Sequence, residues 1–188
     1  MSNSLYKNGD IIKLVELAQK NDVKAIEALI RSVQKHVYAI FSHLTSKKED
    51  ISDLTQETLI KMAKNINKLK DAKCFNQWLN KIITNSFYDF IRKKRLQTVE
   101  VGENKLNEIR DKIGCEPGEK CIFSEIESLI KHALMILPHN LRLSLILREY
   151  EGLSYEDISK LTNTTIGTVK SRISRARTKL REELDGFI

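Results

Sequence analysis

Between Lys170 and Arg181 the chain carries six cations, Lys170, Arg172, Arg175, Arg177, Lys179 and Arg181, with no acid among them. Val169, Ile173, Ala176 and Leu180 thread through them at helical spacing. At about 100° per residue these four form one narrow apolar stripe. Gly167, Ser171, Ser174 and Thr178 project on the opposite side, with Lys170 and Arg175 on the shoulders; Arg172, Arg177 and Lys179 fall nearer the edges of the stripe. Small polar residues at a crest allow close approach, and long cations beside them suit guanine edges in a major groove or backbone phosphates. A solvated basic helix would share the charge pattern, so the neighbouring elements decide between the two readings.

Those neighbours are informative. Gly152 can end the preceding helix in a left-handed cap. Ser154 can cap the next one, with Asp157 closing a capping box and Leu153 and Ile158 as a hydrophobic staple. A helix from Tyr155 to about Leu161 follows. Asn163 tolerates the left-handed turn, and Thr164 can cap the basic helix. Helix, tight turn, helix is the arrangement that presents a second helix to DNA.

A second face lies in DISDLTQETLIKMAKNINKL. Leu54, Thr58, Met62 and Ile66 can face inward, which leaves Asp53, Gln56, Glu57, Ile60 and Lys64 on another side. Acids and an amide beside an exposed isoleucine fit a protein-docking patch. Further on, Phe75, Trp78, Leu79, Ile82 and Ile83 form an apolar stripe, with Trp78 expected in the core. Asn85, Asp89 and Arg92 mark a separate face before the basic cluster Arg92–Arg95.

Enzyme chemistry finds little support. His36, His43, His132 and His139 are scattered, with no metal-ligand spacing and no phosphate-cradling glycine loop. Cys74, Cys115 and Cys121 are odd in number and widely spaced, as expected of reduced thiols. No cofactor or metal is expected.

The elements that must position these residues are helical almost throughout: two prolines and seven glycines punctuate 188 residues. The expected class is all-α. Helices are predicted over about Asp10–Lys20, Val23–Leu44, Ile51–Leu69, Phe75–Arg95 and Phe123–Leu137. Another starts in a first turn containing Pro138 and runs to about Glu151. From Leu96 to Cys121 the periodicity lapses; six acids face four bases inside a chain of net charge +7. The expected division is a helical domain at 1–95, an extended, flexible acidic linker at 96–121, and a helix-turn-helix domain at 122–188. No apolar run reaches the roughly 20 residues needed to cross a bilayer, and the N-terminus lacks a signal-peptide pattern, so a cytoplasmic protein without membrane insertion is expected.

Taken in order, DLTQETLIKMAKNINKL, FNQWLNKIITNSFYDFIRKKR and LPHNLRLSLILREYEGLSYEDISKLTNTTIGTVKSRISRARTKL resemble the extracytoplasmic-function group of bacterial sigma-70-type RNA polymerase sigma factors. The resemblance implies a sigma-2 and a sigma-4 domain. It implies that Asp53, Gln56, Glu57 and Ile60 dock on the clamp of the largest polymerase subunit, and that the chain also meets the flap of the second-largest. The loop with Lys68, Lys70, Asp71 and Lys73, together with Asn85, Asp89 and Arg92, would engage the −10 element. One flipped base would be captured at that loop. Thr165, Gly167, Thr168, Lys170, Ser171, Arg172, Ser174, Arg175 and Arg177 would engage the −35 element, with Arg172 and Arg177 nearer the backbone. The acidic linker would thread the RNA-exit region, and an anti-sigma factor would be a partner. Many relatives have glycine where Asn163 stands and proline where Thr165 stands; asparagine can supply the turn and threonine the first helical position. The alternative is an autonomous helix-turn-helix regulator, which would leave the DLTQET face without a role.

Overall fold

The computed structural model describes residues 8–100 and 121–185, with side chains over 10–96 and 127–185. Every regular element among them is helical. The first domain comprises α1 (Asn8–Ala18), α2 (Val23–Leu44), α3 (Lys48–Asn65), short 3₁₀ turns at Ile66–Lys68 and Ala72–Cys74, and α4 (Phe75–Glu100). The second comprises α5 (Cys121–Ile136), α6 (His139–Glu149), α7 (Tyr155–Thr162) and α8 (Ile166–Asp185).

Local chemistry explains most boundaries. Asp22 caps α2 by accepting the Ala25 N–H at 3.1 Å. No side chain caps α3, but Glu49 and Asp50 in its first turn complement the helix dipole, and it begins before the expected Ile51. It also ends earlier, at Asn65, where the chain tightens into the 3₁₀ turn rather than continuing to Leu69. Conversely, α4 runs past Arg95 to Glu100, through a stretch holding neither glycine nor proline. The lapse of apolar periodicity after Leu96 thus does not mark the end of the helix. The rest of the expected linker, 101–120, lies outside the described residues, as does Cys115. Pro138 sits one residue before α6, in the cap position, so that helix starts at His139 and ends at Glu149.

The core of the first domain is built on Phe41, Phe75 and Phe87, none more than 1% exposed, with Leu29, Ile40, Met62 and Ile83 around them. Leu54, Thr58, Met62 and Ile66 all point inward, as the spacing predicts. In the second domain Leu143, Leu147, Ile158, Val169, Ile173 and Ala176 are buried together.

The two domains are packed against each other: α2 meets α5 and α6, and α4 meets α7. Arg142 is a main fastening. Its guanidinium is buried and donates to Leu44 O at 2.7 Å, at the C-terminal end of α2, and to Leu137 O at 2.8 Å and Met135 O within its own domain. Carbonyls at helix C-termini lack intrahelical donors and carry partial negative charge, which makes them suitable partners for a buried cation. Burial alone lowers the Arg142 pKa to about 10.

Candidate nucleic-acid interface

The helix-turn-helix forms as its cap signals predict. Gly152 adopts φ +68° and Asn163 φ +53°. The Ser154 hydroxyl accepts the Asp157 N–H at 3.0 Å, and it donates to the Asp157 carboxylate at 2.7 Å. The capping box therefore closes side chain to side chain. The cap of α8 is Thr165, not Thr164: its hydroxyl accepts the Thr168 N–H at 3.1 Å and pairs with the Thr168 hydroxyl at 2.9 Å. Thr164 instead pairs with Thr162 at 2.9 Å. Thr165 is consequently a capping residue just outside the helix, and two of the nine expected −35 residues hold the turn together.

Along α8, Val169, Ile173 and Ala176 are buried, and Gly167, Lys170, Ser174, Arg175 and Thr178 are exposed, matching the angular reading. Three expected contacts are placed differently. Ser171 is half-buried and donates to Thr168 O at 2.9 Å. Arg177 is tied to Glu149 of α6, and that hydrogen bond raises its pKa further. Arg172 is half-buried, with its Nη1 enclosed, beside Tyr88 of α4. Burial pushes the Tyr88 phenol up, while the charge and hydrogen bond of Arg172 pull the other way. Of the nine, Gly167, Lys170, Ser174 and Arg175 therefore form the free outer edge of α8. Lys170 also lies over the Tyr155 ring at 5.9 Å, a weak hold on a movable side chain.

In the first domain, Asn85 and Arg92 are exposed and Asp89 is half-buried, on one face of α4. Asn85 and Asp89 line a groove of about 500 Å³ that also takes in Lys61, Asn65, Lys68, Trp78, Lys81 and Ile82; Arg92 stands outside it. Trp78 is half-buried here, so it is only partly a core residue. Its ring and Ile82 give the groove an apolar wall, and cations and amides surround it. Lys61, Trp78 and Lys81 were missed as site residues; the signal was their spacing with Asn85 on α4 and with Asn65 on α3. Lys68, Lys70, Asp71 and Lys73 are exposed on the adjoining loop. Asp71 shapes that loop by accepting the Lys73 N–H at 2.9 Å, and Lys68 donates to Asn65 at 2.8 Å.

The expected docking face of α3 is accessible, with Asp53 and Gln56 exposed and Ile60 46% exposed. Glu57 binds Lys61 at 2.8 Å, and that hydrogen bond holds its carboxyl below the usual range. Lys61 lies 3.8 Å from Asp89, which in turn binds Arg92 at 2.9 Å. A chain of alternating charge therefore links the docking face to the groove. A second groove, of about 450 Å³, adds Gln34, Lys35 and Tyr38 of α2 beside Gln56, a contribution the reading of α3 alone does not reach.

A helix-turn-helix with a basic outer edge, an amide-and-aromatic groove and an exposed acid-and-amide face of α3, carried on two helical domains, is the setting in which the family matches fall. The sigma-70 region 2 model matches residues 29–97 and the sigma-70 region 4 model matches 128–180. The ECF RNA polymerase sigma-E factor of Haemophilus influenzae is 31% identical over 91% of this chain and 93% of its own length. The RNA polymerase sigma-H factor of Pseudomonas aeruginosa is 30% identical over 94% of each. Among solved structures, the sigma factor RpoE in complex with the anti-sigma factor NepR, from Bartonella quintana, has a TM-score of 0.69 at 29% identity, covering 87% of this chain and 98% of that one. CnrH in complex with the cytosolic domain of CnrY shares the fold, with a TM-score of 0.65 at 19% identity over 94% and 97%. The chain belongs to the extracytoplasmic-function group of the sigma-70 family. No helix among the described residues is long and apolar enough to cross a membrane.

Proposed function

We propose that the chain docks on core RNA polymerase through Asp53, Gln56, Glu57 and Ile60, and that it then directs the enzyme to promoters by two separate DNA contacts. The exposed edge of α8, with Lys170, Ser174 and Arg175, reads the −35 element in the major groove. The α3–α4 groove takes an unpaired base of the −10 element against Trp78, within reach of Asn85, Lys61 and Lys68. Stacking contributes about 1–3 kcal/mol per base, comparable to the few kcal/mol that extruding a base costs. The groove can therefore hold a strand opening that duplex pairing would otherwise reverse. RNA synthesis stays with the polymerase, and the chain works where promoter DNA is, in the cytoplasm. An anti-sigma factor is the expected regulator, since the similar sigma factor RpoE is found in complex with the anti-sigma factor NepR.

The observation that carries this reading is the presence, on one chain, of an exposed basic edge on α8 and an aromatic- and amide-lined α3–α4 groove beside an exposed acidic face of α3. An autonomous regulator would need only the first. Transcription of a genomic fragment library with core polymerase, with and without this chain, tests it. New 5′ ends sharing two upstream elements are expected only when both are present. Tight, specific binding by the chain alone with no core-dependent initiation would favour the autonomous regulator.

A further inference from the structure

The loop that carries Lys68, Lys70, Asp71 and Lys73 consists of two 3₁₀ turns, Ile66–Lys68 and Ala72–Cys74, joined through Leu69. With about three residues per turn, every third side chain falls on the same side. Ile66, Leu69 and Ala72, followed by Phe75, are all buried, and the four charged residues stand exposed. Apolar anchors therefore hold the loop down at intervals, but they do not fix its peptide planes. Local hydrogen bonds do so only at the two turns. The Leu69 N–H closes the first on Ile66 O at 3.2 Å, and the Cys74 N–H closes the second on Asp71 O at 3.0 Å. Between them Leu69 is extended, at φ −72° and ψ 118°. Among the described residues, its carbonyl has no donor within the loop.

That donor comes from α1. Gln19 is half-buried, and its side-chain nitrogen donates to Leu69 O across 50 positions of sequence. Because a carbonyl only accepts, the amide can meet it only through its NH₂ end. Gln19 itself has little freedom. Its backbone N–H bonds Val15 O at 2.9 Å, and α1 is seated by buried Ile11, Val15 and Ala18. Two residues later the chain reverses: Asn21 takes φ +64°, its N–H reaches Ala18 O at 3.0 Å, and Asp22 caps α2. The helix also packs against both 3₁₀ turns. Among the described residues, no other side chain from outside 65–74 hydrogen-bonds to this loop. The peptide group is planar, so fixing Leu69 O also fixes the Lys70 N–H and constrains the direction in which Lys70 leaves the backbone. One residue before Leu69, Lys68 lines the α3–α4 groove.

We propose that Gln19 is a positioning residue for base selection: by holding the Leu69–Lys70 peptide, it sets how the loop meets an unpaired −10 base in the groove. This role rests on the reading above that the groove takes such a base. Without the donor, the apolar anchors keep the loop in place but the peptide between its turns is free to rotate. Discrimination among bases should then fall while the fold and the grip on the strand persist. The full-length chain is tested with core polymerase, on promoter templates already unpaired across the −10 element. Each non-template position in turn carries each of the four bases, and the lifetime of the complex is measured. The wild type should prefer one base at one or more positions. Gln19→Met, of similar length but without a donor, should reduce that preference about three- to tenfold, the range of one net hydrogen bond. Gln19→Glu sets an acceptor against the carbonyl and should lose at least as much. Gln19→Lys returns a donor of similar reach and should recover most of the preference. Circular dichroism identifies a variant that fails to fold, and if Gln19→Met does so, Gln19→Glu decides. An unchanged preference in folded Gln19→Met, equal shortening on all four bases, or no recovery in Gln19→Lys would each overturn the role of Gln19 and leave the groove reading standing. A wild type indifferent to every base would overturn that reading, and this role with it.

Discussion

Replacing Arg142 by methionine keeps much of its aliphatic bulk and deletes its charge and three carbonyl bonds. Hydrogen bonds to charged groups contribute about 1.5–3 kcal/mol each, so the gross loss is several kcal/mol. Against this stands the cost of burying the cation. Its pKa falls from the ordinary guanidinium value to about 10, which at about 1.4 kcal/mol per factor of ten in proton affinity is roughly 3 kcal/mol returned when the charge is removed. The difference predicts that Arg142→Met destabilises the full chain by about 3 kcal/mol, because Leu44, Met135 and Leu137 lose a donor. Urea unfolding followed by far-UV circular dichroism measures this, provided the slope of the transition is unchanged. Arg142→Lys, a point charge on a shorter reach, should recover about half. A methionine variant at least as stable as the wild type would show that desolvation outweighs the three bonds and refute the reasoning.

Three further outcomes are expected. Lys170→Ala and Arg175→Ala should each weaken recognition of a −35 duplex by about 1–3 kcal/mol if they contact bases; equal losses on a duplex with a scrambled −35 element would assign them to phosphates instead. Asp53→Ala combined with Glu57→Ala should reduce capture of core polymerase about tenfold with helicity intact, and undiminished capture would remove the docking role from this face. Burial lowers the His43 pKa first, with Lys131 adding to it and Glu127 opposing; burial, Arg142 and Lys94 lower that of His139. As pH falls below about 6.5 the unfolded chain takes up these protons before the folded one does, so stability should decline from about pH 7 to pH 5. The double variant His43→Gln/His139→Gln should flatten that decline; an unaltered slope would place its origin elsewhere.

What the sequence discloses here follows from the range of the forces involved. Ser154, Gly152 and Asn163 announce α7 and its turns because capping and left-handed backbone are decided within a few residues. The cap of α8 is displaced by one because Thr164 and Thr165 have the same hydroxyl, and only the turn geometry selects between them. The exposed edge of α8 was legible because an apolar stripe fixes the opposite face. The half-buried position of Arg172 was not, since Tyr88 of α4 lies against it from about 80 residues upstream. For the same reason His36, His43 and His139, which show no pattern in the chain, lie where the two domains meet. Trp78 was misjudged in degree, because periodicity reports which side of a helix is apolar and not whether a groove opens over it.

The bonds that set α8 in place come from Thr165, Thr168 and the buried row Val169–Ile173–Ala176. Ser174 and Arg175 make no side-chain hydrogen bond or ion pair among the described residues, and both stand in solvent. Anchoring and the proposed −35 contact thus fall to different side chains. On that proposal, changes at these two positions should alter which promoters are read at little expense in folding, so that specificity could be reprogrammed on an unchanged scaffold.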